Sequence, residues 1–116
     1  MNSRILHIIL LACFIGGCGA ALYTPTAADV PEGTTLDRLH EGRALYVAKC
    51  GSCHMLKVPS EYSVTVWREN LDEMQTRARI TDAEKELMFE YLAAGSKAHA
   101  QSLQLQQQKP IFVKDR

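Results

Sequence analysis

At 116 residues the chain has room for one domain. Its 13 basic and 13 acidic residues balance to a formal net charge of zero, so it lacks the positive footprint of a nucleic-acid binder, and net charge names no partner class. With 7% aromatic residues, a folded part of this size builds only a marginal core from its own side chains.

The chain opens as an export signal over residues 1–17. Arg4 precedes an apolar run from Ile5 to Ile15, interrupted by His7, and that run is too short to span a bilayer. It ends in Ile15-Gly16-Gly17-Cys18, which resembles the lipobox of bacterial lipoproteins: an aliphatic residue, two small ones, then a cysteine that takes the lipid and becomes residue one. The resemblance implies lipidation at Cys18 and a protein exported to the periplasmic side of a bacterial membrane, the outer membrane being one option. The alternative is ordinary secretion with cleavage at small residues such as Gly19-Ala20-Ala21. Residues 18–34 carry Pro25, Pro31 and Gly33 with no helical or strand period, and read as a flexible tether.

Regular structure is expected from Thr34 or Thr35, where a hydroxyl can cap a helix with Asp37 in its first turn. Leu39, Gly42, Tyr46 and Cys50 share its inward face, and His40 falls one step round, among solvated residues. This helix delivers Cys50-Gly51-Ser52-Cys53-His54, a C-x-x-C-H run that predicts covalent attachment of a c-type haem. Two thiols three residues apart can add to the vinyl groups on one porphyrin edge, and His54 then supplies the proximal imidazole to the iron. A zinc half-site would need further soft or imidazole ligands, and a C-x-x-C redox couple needs a βαβ frame; the sequence offers neither. A bound haem would also supply the apolar interior that the composition lacks. With Cys13 leaving in the signal and Cys50 and Cys53 taken by haem, Cys18 is the remaining thiol in an oxidising compartment, and a lipid thioether removes that liability.

Gly42 and Tyr46, placed ahead of the first haem cysteine, make residues 42–50 resemble the N-terminal helix of class I, mono-haem c-type cytochromes. The resemblance implies an all-α fold: a small cytochrome c-like domain of about three helices around one covalent haem c, here over residues 35–95. It further implies that a C-terminal helix crosses the first at Gly42 and Tyr46, and that a proline carbonyl, here that of Pro59, accepts the Nδ1–H of His54. A methionine sulfur would take the distal side of the iron.

Beyond His54 an irregular stretch passes around the haem. A second helix is expected from Ser63 or Thr65, with Trp67, Leu71, Met74 and Ala78 as an apolar stripe. Such a stripe can simply pack, yet Met74 is also the candidate distal ligand. Met55 adjoins His54, Met88 belongs to a third helix, and His99 follows that helix, where it would give bis-histidine ligation; an open iron site is the remaining option. Thr81-Asp82-Ala83-Glu84 forms a capping box for the third helix, whose inward residues are Ala83, Leu87, Met88, Tyr91 and Leu92, with Gly95 as its stop. Tyr91 is its expected contact with Gly42 and Tyr46. Residues 96–116 read as a Gln-rich tail.

The chain presents no carboxylate pair in a cleft and no nucleophile with a neighbouring base, so a non-enzymatic function is expected. The reading is a membrane-anchored, exported cytochrome carrying single electrons between redox protein partners, with neither nucleic acid nor a small-molecule substrate. The alternatives are a haem subunit of a larger oxidoreductase, joined through the tail, and a five-coordinate haem that binds a small gas or peroxide.

Overall fold

The computed structural model describes residues 21–108. Among them every regular element is helical: α1 (Leu36–Cys50), α2 (Val64–Ala78) and α3 (Asp82–Gln108), with short 3-10 turns at Ala27–Asp29 and Pro59–Glu61. The expected all-α fold is the one observed. The export signal and Cys18 lie outside the described residues, and no described helix is long and apolar enough to cross a membrane.

Each helix starts where a side-chain oxygen can meet an unpaired backbone donor. Thr35 Oγ1 accepts from the Arg38 N–H at 3.3 Å, and Ser63 Oγ accepts from the Val66 N–H at 3.3 Å. At α3 the capping box closes both ways: the Thr81 N–H donates to Glu84 at 2.8 Å, and the Glu84 N–H donates to Thr81 Oγ1 at 3.2 Å.

The core forms where α1 crosses α3, at the residue expected. A Cβ built on Gly42 would stand 2.0 Å from the Leu87 carbonyl oxygen and 3.0 Å from Tyr91 Cβ. The helices therefore meet at backbone distance, which only a residue without a side chain allows. Tyr91 is fully buried there, its ring centroid 6.1 Å from that of Tyr46. Leu39, Met88 and Leu92, none of them solvent-accessible, complete the seam.

Two expectations are corrected. Gly95 does not stop the third helix; α3 runs on for 27 residues, with Gly95 buried inside it. A Cβ there would lie 2.6 Å from the Tyr23 ring and 2.7 Å from Pro59 Cβ, so this glycine too makes room for a neighbour. Its cost to the helix is about 1 kcal/mol, and the alanines at 93, 94 and 98 are strong helix formers that offset it. Nor does the segment before α1 hang free. Pro25 is buried, the Tyr23 ring stacks on Tyr91 at 5.8 Å, and the Tyr23 carbonyl accepts from Tyr91 Oη at 2.8 Å and Arg43 Nε at 3.1 Å. Proline and glycine erase periodicity in this stretch without preventing contact.

Candidate haem-binding site

α1 ends at Cys50, the first cysteine of the C-x-x-C-H run. The Gly51 N–H still donates to the Val47 carbonyl at 3.2 Å, and the Cys53 N–H turns back to the Cys50 carbonyl at 3.4 Å. The chain thus leaves the helix through one tight turn that holds both thiols and the imidazole. Cys50 is half-buried, and that burial, with Cys53 adding to it, pushes its thiol pKa up; Cys53 and His54 are exposed. His54 Nδ1 lies 3.0 Å from the Met55 carbonyl. A carbonyl can only accept, so Nδ1 is the donor of this bond and Nε2 is the nitrogen left to face a metal.

Pro59 does not orient this imidazole. Its carbonyl accepts the Trp67 indole Nε1–H at 2.8 Å in the buried interior, because a buried indole needs an acceptor and the turn at Pro59–Glu61 presents this one. The proline ties α2 to the loop, and the Met55 carbonyl takes the place expected of it. Tyr46 holds the same loop: its hydroxyl donates to the Lys57 carbonyl at 2.8 Å and accepts the Lys57 N–H at 3.1 Å. The stretch after His54 is thereby fixed from the first helix.

Between the end of α1 and α2 lies a cleft resolved into two cavities. One, of about 230 Å³, has Tyr46, Trp67 and Leu71 as apolar walls; the other, of about 200 Å³, abuts Cys53 and Ala78. Cys50, His54 and Met74 line both. The structure therefore brings Cys50, Cys53, His54 and Met74 to one place. The remaining candidates fall elsewhere: Met55 is 88% exposed, Met88 is fully buried in the core, and His40 is exposed on α1. His99 lines a separate cavity.

These residues fit a haem. The donor set is two thiols and an imidazole beside aromatic and aliphatic walls. The charged side chains lining the cleft, Lys49, Lys57 and Arg77, are all basic, which suits a cofactor that bears carboxylates. Sequence reasoning placed Lys57 and Tyr62 in the loop around the haem but missed Asn70 and Arg77 as lining residues. Asn70 had a signal, since it precedes Met74 by one helical turn. Among the described residues no group of three His, Cys, Asp or Glu side chains is placed to hold a metal ion by itself.

Residues 46–116 match the family described as dihaem cytochrome c. The chain belongs to the dihaem cytochrome c family. It is accordingly a c-type cytochrome, a haem-containing electron-transfer protein, in which the iron supplies a centre that gains and loses one electron. The membership corrects two expectations: the chain belongs with the dihaem proteins rather than the mono-haem class I cytochromes, and two haems replace the expected one. The physical reason is that counting C-x-x-C-H runs registers only haem held through such a run, and the sequence has one, at residues 50–54. No curated protein and no solved structure matches the chain.

Proposed function

We propose that this dihaem-family cytochrome is an exported, lipid-anchored carrier of single electrons between redox proteins on the periplasmic side of a bacterial membrane, and is not itself an enzyme. The observation that carries this reading is the convergence of Cys50, Cys53, His54 and Met74 on one largely apolar cleft. The two cysteines would hold the haem covalently, and His54 and Met74 would hold its iron. A thioether is a soft, neutral donor that favours ferrous iron, so this pair would raise the reduction potential of the bound haem. His54 and Cys53 are exposed and Met55 beside them almost fully so, which supports electron exchange with a protein partner at this face.

Visible spectroscopy tests the ligand pair. The oxidised wild type should show the weak band of ferric iron bound to methionine sulfur, near the red end of the visible range. Met74→Leu should lose it, and Met74→His should lower the midpoint potential. An unchanged spectrum and midpoint in Met74→Leu would remove Met74 as a ligand and leave it as packing. The anchor rests on the lipobox and the leftover thiol of Cys18. The mature wild-type chain should carry acyl mass, and Cys18→Ser should release the protein from membranes; a mature chain without added acyl mass contradicts the anchor.

A further inference from the structure

The segment ahead of α1 is fixed to the core only a few residues after the cysteine proposed to take the lipid. Gly19 and Ala20 alone separate Cys18 from Ala21, so three residue steps set the reach, at most about 11 Å when fully extended. Tyr23, two residues further on, is held by its stack on Tyr91 and by the hydrogen bonds that its carbonyl accepts from Tyr91 and Arg43. A lipid at Cys18 therefore brings one particular face to the membrane, where a long flexible linker would let the domain turn freely.

Ala21 marks that face. It lines a groove of about 400 Å³ together with Tyr23, Pro59, Ala98 and His99, and no Asp, Glu, Lys or Arg borders it. A lining without such charges is cheap to take out of water. α3 continues the surface: Ser102 follows Ala98 by one turn, Leu103 follows His99 by one turn, and Leu105 follows Ala98 by two. Leu103 is 45% exposed and Leu105 68%. A single exposed leucine means little. These two, however, stand on a stretch of helix that carries no acidic residue from Tyr91 to Gln108, whereas seven lie between Val64 and Glu90. An anionic lipid surface repels acidic side chains and takes up apolar ones.

We propose that the groove at Ala21 and His99, with Leu103 and Leu105 beyond it on α3, is the face that seats this protein on the membrane holding its acyl chains. The inference rests on the lipid anchor at Cys18 and adds an orientation to it. No groove residue lines the haem cleft, so seating on lipid leaves the cleft open to a redox partner.

The test uses the full, haem-loaded, acylated chain in vesicles of phosphatidylethanolamine with a minority of phosphatidylglycerol. With Cys50 and Cys53 in thioethers and Cys18 acylated, an introduced cysteine is the free thiol of the mature protein. Ser102→Cys lies exposed on the proposed face, and Glu73→Cys lies exposed on α2, which contributes nothing to the groove. Each is labelled with a polymer-linked maleimide. Vesicles should slow labelling of Ser102→Cys by about fivefold or more relative to the same substitution in the secreted Cys18→Ser form, and should leave Glu73→Cys unchanged. Adding Leu103→Glu/Leu105→Glu should restore fast labelling of Ser102→Cys. All four positions are exposed, so the haem spectrum should stay as in wild type and serves as the check on folding. An acylated chain whose Ser102→Cys thiol reacts as fast as in the Cys18→Ser form overturns the proposal, as does equal protection of Glu73→Cys or protection undiminished by the two glutamates. Protection of Ser102→Cys in the Cys18→Ser form without vesicles marks a second copy as the occupant and also overturns it. A mature chain without acyl mass would instead remove the anchor, and the seating with it, so the two failures are distinguishable.

Discussion

Two glycines, read differently from the sequence, do the same work in the structure. Gly42 was legible because Tyr46 and Cys50 follow it at helical spacing, so its inward position had a meaning. Gly95 had no such neighbours, and a glycine after a run of inward residues resembles a helix stop. Stopping a helix that way requires a left-handed backbone, and among the described residues only Gly33 and Arg79 have positive φ. Arg79, at φ 53, is the left-handed cap of α2, its N–H donating to the Thr76 carbonyl at 3.3 Å while the Ile80 N–H reaches the Gln75 carbonyl at 3.2 Å. A cap made by arginine leaves no mark in the sequence. Gly42→Ala should destabilise the protein by about 3 kcal/mol, because the methyl group meets a helix backbone that cannot rotate aside. Urea unfolding followed by far-ultraviolet circular dichroism measures this, and a midpoint equal to that of wild type would contradict the close crossing.

At the scale of elements, tyrosines join pieces of chain that share no sequence pattern. Tyr91 on α3 reaches Tyr46 on α1 and Tyr23 ahead of it. The helices were legible from caps and periodicity. The packing of residues 21–34 was not, because a segment without a period gives no sign of which face it turns to a neighbour. The tyrosines make this joint sensitive to alkali. Burial pushes Tyr91 from its ordinary 10.0 up to about 12, and burial raises Tyr46 and Tyr23 as well. The unfolded chain ionises these groups near pH 10, whereas the folded chain keeps their protons to higher pH. Their stabilisation is thus complete below about pH 10 and is lost as pH rises through the folded values, with Tyr91 contributing on the order of 2 kcal/mol. Thermal unfolding should show no tyrosine-linked loss between pH 7 and 9 and a fall in Tm above 10. The slope should be shallower in Tyr91→Phe. A Tm constant to pH 12 would contradict this linkage.

Across the whole molecule, α3 is the brace for the element that carries the haem motif. Its first half braces α1, which carries the C-x-x-C-H turn, and its later turns border the groove at His99. Five residues were enough to read the kind of cofactor, since thioether attachment demands a fixed spacing of two thiols and an imidazole. The number of haems was not legible, because the sequence has a single C-x-x-C-H run to count, at residues 50–54. Met74 was legible as a candidate from the stripe on α2; that it borders both cavities beside His54 depended on how α2 crosses the end of α1. The central claim is covalent haem at Cys50 and Cys53. The direct measurement is a denaturing gel of the full chain, made with haem-attachment machinery and stained for haem peroxidase activity. The wild-type band should stain, and Cys50→Ser/Cys53→Ser should migrate as protein without stain; a wild-type band that carries protein but no haem stain would contradict the claim.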